Sequence, residues 1–533
     1  MKPNIVLDRA ALAAQWRKHG FHADATLPSA FDHAARLGGE LVFISETRPG
    51  RYSLDDLHRE ARNVAGALSA LGIGPKDVVA VQLPNWVENV LLFHASLLIG
   101  AVLLPIVPIY GQRELGFILA EAQAKVLFIP GKWRGIDYSA LIARLPHLPK
   151  LHHIVSVVDT VPGTLDWKEF LRQQAPAPPP PTDPDEVCVI VYTSGTTAEP
   201  KGVKHTHNTL LAEIRPDVAD RARIPYVNLG LWPAGHIAAL LSYLNLYMGN
   251  SRVTLLEQWD GAVAARLVEE TRTTFMSGTP FFLINMAEAA RRDGRDLSSL
   301  ATFLVGGAAV TPTDVRRCDA LGFACLRSYG SSEHPTATAS APTAPLDKRA
   351  DTDGLPSPGT RVRILDDEGQ DAPVGVSGDV VLIGPEQFVG YVSPALDDDA
   401  FLPGGWFRTG DVGYLDADGY LTITDRKKDI IIRGGENISA KEVENILLTH
   451  PGILEAACVA TPDPLYGERV CAFLILRTGH VLGLPDVIAH FVAAGIAKQK
   501  TPERLEIVTD LPRTASGKVK KNVLRDQLRQ QLR

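Results

Sequence analysis

Cysteine is scarce in this chain. Only Cys188, Cys318, Cys325, Cys458 and Cys471 occur in 533 residues. Their odd number, scattered places and lack of any Cys-x-x-Cys pair exclude a disulfide framework and a thiolate metal site. Buried structural thiols in a reducing cytoplasm are the expectation. Neither sign of charge dominates: a net charge of −7 gives no reason to expect a nucleic-acid partner. The N-terminus carries Asp8, Arg9, Gln15, Arg17 and Lys18 and lacks the apolar core of a signal peptide. An unbroken apolar run of membrane length is also missing. The nearest, Val90 to Tyr110, is cut by Gly100, Pro105 and Pro108. It reads as a buried helix running into a buried strand, with no integral membrane association. No internal repeat is visible.

What is present fits a large globular protein of more than one domain, with 45% hydrophobic and 22% charged residues. Ser53-Leu54-Asp55-Asp56 predicts a capped helix that runs through Leu57, Ala61, Val64 and Leu68 to Gly72. Val78–Leu83 and Lys125–Ile129 predict buried strands. Strands alternating with helices indicate an α/β architecture with a largely parallel sheet. Ala175–Pro181 is a stiff polyproline connector. It marks either a domain boundary or a crossing on the surface of one large domain. Hairpins are expected at Asp367–Gly369 and Asp416–Gly419, so the part around 400–435 is antiparallel in character. Asp425–Asp429 is a charged break that reads as a linker. A strand at Ile430–Ile432 and a capping box from Ser439 to Glu442 open a separate α+β portion of about 100 residues.

The strand-like run Val187–Val191 leads into Tyr192-Thr193-Ser194-Gly195-Thr196-Thr197-Ala198-Glu199-Pro200-Lys201-Gly202. Glycines let backbone N–H groups approach an anion, hydroxyls add donors, and lysine adds a compact positive charge. The loop reads as a phosphate cradle, though not a Walker A loop, because no Gly-Lys-Ser/Thr closes it. Alone, it could equally be a Ser/Thr/Gly-rich turn. Further along stand His236 in Leu231-Trp232-Pro233-Ala234-Gly235-His236, then Gly306-Gly307-Ala308 and Tyr329-Gly330-Ser331-Ser332-Glu333. Trp406–Asp411, Asp425–Asp429 and Pro512–Lys518 follow. Taken singly, each has a plain structural reading: a core histidine, a strand-end turn, a surface ion pair, a solvated basic tail.

In this order, over nearly the whole chain, the motifs resemble the adenylate-forming superfamily, which includes acyl-CoA synthetases, peptide-synthetase adenylation domains and luciferases. The resemblance implies a large N-terminal domain (1–427) of two α/β sheets plus a small β-barrel-like part. It also implies a small mobile α+β C-terminal domain (428–533). It implies that a carboxylate attacks the α-phosphate of ATP, and that a thiol then displaces AMP. On that reading Thr193, Ser194, Gly195, Thr196, Thr197 and Lys201 hold the β- and γ-phosphates. Glu333 ligates Mg²⁺, and Ser332 keeps the hydroxyl of a usual threonine. Gly307, Ala308 and Tyr329 bound the adenine. Asp411 accepts from the ribose hydroxyls, with Arg426 close by. Lys518 serves adenylation, Lys428 is the hinge, and Gly434 replaces Lys518 after the domain swings. His236 lies near the acyl pocket and thiol tunnel. Gly235 replaces the aromatic residue usual before this histidine, and the resemblance then implies a roomier site.

The acyl pocket is expected to draw on His236–Leu240, Gly278-Thr279-Pro280, Val305-Gly306 and His334-Pro335-Thr336. Ile237, Ala238, Ala239 and Leu240 are apolar, and no carboxylate stands where amino-acid-activating relatives hold an amine. An apolar acid is therefore expected: fatty, alicyclic or aromatic. The chain ends soon after Lys518 without an appended carrier domain, so CoA is the expected acceptor. A ligase that loads a separate carrier protein is the alternative, and a luciferase-like oxidative enzyme a third. A homodimer is left open.

Overall fold

The computed structural model describes residues 8–44, 48–193, 200–221, 226–308, 310–433, 436–514 and 517–531. Among these, a seven-stranded sheet contains Val78–Val81, Val102–Pro105, Val126–Ile129 and Val187–Tyr192. These strands are near-continuous apolar runs because both of their faces are covered. They pair in parallel, and Gly202–Thr206 adds antiparallel to Val187–Tyr192 at the edge. Helix Leu54–Ala70 starts as expected. Ser53 Oγ accepts from Asp56 N at 3.1 Å, and Asp56 Oδ2 accepts from Ser53 N at 3.3 Å. The long apolar run is the buried helix Val87–Leu98 followed by the strand Val102–Pro105. No helix among the described residues is long and apolar enough to cross a membrane. The strand before the polyproline stretch, Leu165–Asp166, and the strand after it belong to the same sheet. The stretch therefore crosses the surface of one sheet.

A nine-stranded sheet has a parallel centre that includes Tyr226–Gly230, Phe275–Gly278, Thr302–Val305 and Ala324–Tyr329. The barrel-like part is a four-stranded antiparallel sheet of Arg361–Leu365, Gly378–Ile383, Phe407–Leu415 and Leu421–Arg426. Its last hairpin is tight: Asp416 Oδ1 accepts from Asp418 N at 3.0 Å and Tyr420 N at 2.9 Å. The first is not a simple hairpin. Leu365 meets Asp371 in a single bridge, and the partner strand begins only at Gly378. The fully buried Arg327–Asp353 pair ties this sheet to the nine-stranded one. Arg327 Nη2 donates to Asp353 Oδ1 at 2.7 Å, and Asp353 Oδ2 accepts from Ile423 N at 2.8 Å.

The C-terminal domain is α+β, with a five-stranded sheet and the helices Ala440–Leu448, Leu484–Ala493 and Lys521–Gln531. Ser439 Oγ caps its first helix by accepting from Glu442 N at 3.0 Å. Only this half of the expected box forms, because the Glu442 carboxylate turns to Lys500 Nζ at 2.7 and 2.8 Å.

Candidate active site

The described part of the phosphate loop is its neck. Thr193 N donates to Lys201 O at 3.0 Å where the two antiparallel strands diverge. Ser194, Gly195, Thr196 and Thr197 lie outside the described residues. The strand Gly202–Thr206 carries His205, whose Nε2 donates to the Ser332 carbonyl at 2.8 Å. A carbonyl only accepts, so this nitrogen bears the proton. Burial pushes the His205 imidazole down to about 4, which keeps it neutral. The bond anchors the turn that presents Glu333. One Glu333 oxygen, Oε1, accepts from the Tyr391 hydroxyl at 2.8 Å, and Phe388 N donates to Glu333 O at 2.8 Å.

On the nucleotide side the strand Thr302–Val305 ends at Gly306 and Gly307. Gly307 has φ +73°, and a Cβ there would stand 3.1 Å from the Trp232 ring. Ala308 follows, half-buried. Tyr329 OH donates to Asp411 Oδ2 at 2.5 Å, and Arg426 Nε forms an ion pair with Asp411 Oδ1 at 3.0 Å. Asp411 and Arg426 face each other in register across two antiparallel strands. A carboxylate offers about four lone-pair sites, so both oxygens keep capacity for a diol.

The C-terminal domain brings Lys518 to the same place. Its ammonium lies within the field of Arg426, Asp411, Lys428 and Asp429. Repulsion by Arg426, with burial second, pushes it down to about 7. The loop before it docks on the large domain: a Cβ at Gly517 would sit 3.4 Å from Phe281 Cδ1, and the Arg513 guanidinium lies 5.8 Å from the Phe281 ring centroid. Lys441 Nζ adds a bond to Ile423 O at 2.6 Å. Lys428 lies in the turn between the last strand of the large domain and the first of the small one. Arg525 Nη2 donates to its carbonyl at 3.4 Å and pairs with Asp429. Gly434 lies outside the described residues.

His236 caps the helix Ile237–Leu244, with Nδ1 accepting from Ala238 N at 3.2 Å. Its ring stacks on Trp232, centroids 4.9 Å apart and planes at 14°. Burial, with the Lys518 charge second, pushes it down to about 4. Thus Lys518, His236, Asp411, Arg426 and Tyr329 converge on one site. Two expectations need correction. Gly235 does not leave room: with φ +92° it lies against the chain at Ile106–Val107, and a Cβ would be 2.3 Å from Val107 N. His334 does not line the pocket. It is fully buried behind Glu333, with Nδ1 3.5 Å from the Glu386 carboxylate.

Sequence reasoning missed Trp232, Phe281, His205 and Tyr391. Trp232 stands inside a segment singled out for its histidine. The other three show no local signal, because their partners lie far away in the chain.

Residues 31–392 match the model of the AMP-binding enzyme family, and residues 442–518 match the model of the AMP-binding enzyme C-terminal domain. The chain belongs to the AMP-binding enzyme family. It is 34% identical to a medium-chain fatty-acid–CoA ligase of Escherichia coli (strain K12), over 100% of this chain and 95% of that protein. It is 33% identical to a 2-hydroxy-7-methoxy-5-methyl-1-naphthoate–CoA ligase of Streptomyces carzinostaticus, over 96% and 95%. ATP-bound MatB from Rhodopseudomonas palustris superposes with a TM-score of 0.83 at 26% identity, covering 96% of this chain and 100% of that one. This AMP-binding enzyme is an acid–thiol ligase that uses ATP and CoA. It activates a carboxylic acid as an acyl-adenylate and passes the acyl group to the thiol.

Proposed function

We propose that this AMP-binding enzyme joins an apolar carboxylic acid (fatty, alicyclic or aromatic) to CoA in the cytoplasm, with Mg²⁺-ATP as the energy source. The observation that carries the reading is the meeting of Lys518 with Arg426 and Asp411 at a site walled by aromatic and small residues. An acid oxygen bonds to the α-phosphorus as the bond to pyrophosphate breaks. Lys518 neutralises charge on the α-phosphate and the incoming carboxylate, and Asp411 holds the ribose diol. Thr193 to Thr197 and Lys201 receive the pyrophosphate side. Glu333 fits a Mg²⁺ ligand. Among the described residues no trio of His, Cys, Asp or Glu could cage a metal ion, and Mg²⁺ takes one or two carboxylates plus substrate phosphates. Bound with ATP, Mg²⁺ spreads the negative charge of the phosphates. In the second half-reaction the CoA sulfur bonds to the acyl carbon and AMP leaves, with Gly434 in place of Lys518.

Trp232 stacked on His236, with the partly exposed Ala238 and Phe281, supplies apolar surface, which favours an apolar acid. The five cysteines are all buried thiols without disulfides, which fits a reducing compartment. A panel of fatty, alicyclic and aromatic acids is expected to give acid-dependent pyrophosphate release, and thioester when CoA is added. If acyl-AMP forms but CoA never accepts it, loading of a separate carrier protein replaces this reading.

The boundary falls at 427/428, with Lys428 as the hinge. Proline fixes φ, so Lys428→Pro is expected to slow one half-reaction by about tenfold or more through the orientation it denies. Single-turnover assays of each half check this. Normal rates in both would remove Lys428 as the hinge.

A further inference from the structure

The segment 388–392 stitches the phosphate side together. Phe388 N donates to Glu333 O at 2.8 Å, Val392 N to Gly202 O at 2.7 Å and Lys204 N to Gly390 O at 3.1 Å. Tyr391 bridges Val203 in the main chain. Its side chain does more. The hydroxyl donates to Glu333 Oε1 at 2.8 Å, and the Lys201 ammonium stands 5.2 Å from the ring centroid. The ring is 3% exposed, wedged among Val203, Phe388, Phe401 and Phe407. Its backbone N–H donates to Asp397 Oδ1 at 2.8 Å. A phenol held on all sides has one place for its oxygen, and that place selects one orientation of the carboxylate. The bond occupies Oε1 from one direction and leaves Oε2 for another partner.

We propose that Tyr391 is a positioning residue for the metal–triphosphate half of the site. Its hydroxyl fixes the Glu333 carboxylate, its ring face fixes the Lys201 ammonium, and so one side chain sets their spacing. This rests on the reading of Glu333 as a metal ligand. Partners of ligating carboxylates typically account for about 10- to 100-fold in metal affinity. An ammonium over an aromatic face is held by the ring quadrupole, more strongly when desolvated.

The test is ATP binding by calorimetry, with Mg²⁺ and in EDTA. The ratio of the two dissociation constants is the gain due to the metal. Tyr391→Phe keeps the ring and should lower this gain about tenfold, with binding in EDTA unchanged. Tyr391→Leu also removes the ring, and should weaken binding in EDTA by about threefold or more. Glu333→Gln should abolish the gain, and adding Tyr391→Phe to it should change nothing further. A full gain in Glu333→Gln would overturn the metal role of Glu333 itself. Loss of the gain in Glu333→Gln, but not in Tyr391→Phe, would overturn the positioning role alone. So would additive effects in the double variant. An unchanged melting temperature in Tyr391→Phe separates positioning from loss of fold.

Discussion

Lys518→Ala is expected to slow acyl-adenylate formation by about 10²–10³-fold, the usual loss when one preorganised charge at a transition state is removed. Transfer to CoA from supplied acyl-AMP should be spared. Pyrophosphate release and thioester formation, measured separately, check this, and equal loss in both halves would refute the assignment. The electrostatics sharpen it. Arg426 and burial hold Lys518 at about 7 without nucleotide, against about 10.4 for a free lysine. The docked lysine therefore binds fewer protons than the undocked one between these values. Its docking is penalised most below pH 7, and the penalty fades as pH rises through that window. A triphosphate reverses the balance by supplying negative charge beside the ammonium. ATP binding near pH 7.5 should then take up a proton. This appears as a binding enthalpy that depends on the buffer's ionisation enthalpy, and it should vanish in Lys518→Ala.

Local chemistry was the legible part of this chain. Ser53 with Asp56, the Asp416 turn and the doubly buried strands all follow from residues within a few positions of each other. The second hairpin also contains part of the site. Plain extension of its register would set Asp411 opposite Asp425; a one-residue shift between Val412 and Gly413 sets it opposite Arg426 instead, so the turn alone does not give the ribose-side pair. The order of the motifs supplied the rest through the family resemblance.

Long-range packing was not legible. Tyr391 meets Glu333 across 58 positions, and His205 meets Ser332 across 127. Gly235 shows the cost of reasoning by local comparison. The absence of an aromatic residue suggested space, but the chain at Ile106–Val107 comes up to the glycine. His334 misled for a similar reason. Its neighbour Glu333 faces the site, and the next side chain along the turn points into the core. Short polar turns carry no periodicity that would tell the two directions apart.

Mild acid is expected to destabilise the protein through its buried histidines. His94, His205, His207 and His334 are 3%, 0%, 2% and 0% exposed. Burial pushes them down to about 3, 4, 4 and 3. The unfolded chain protonates each near pH 6.5, so below that pH it binds protons that the folded protein refuses. Stability therefore falls as pH drops from about 6.5 towards 4, by about 1.4 kcal/mol per histidine at pH 5.5. Glu386 works in the opposite direction. Burial and the nearby Glu213 raise it to about 8, so the folded state takes up its proton as pH falls from about 8 and offsets about two histidines by pH 5.5. The net is a loss of about 3 kcal/mol at pH 5.5 against a typical total of about 5–15. Urea midpoints measured from pH 8 to pH 5 should fall steeply below pH 6.5. The hydrogen bonds make His94 the informative variant. It lies between His58 Nδ1 and the Tyr247 hydroxyl, both at 3.0 Å, and Arg62 Nε donates to His58 Nε2 at 2.8 Å. With Nε2 accepting, His58 must donate through Nδ1, and His94 must donate to Tyr247. A charged His94 would present two N–H groups to a chain that already points one at it. His94→Gln should therefore flatten the pH profile by one proton's slope, even if it lowers stability at pH 8. A midpoint that is level between pH 7 and pH 5 would show that the buried imidazoles are protonated without opening the fold.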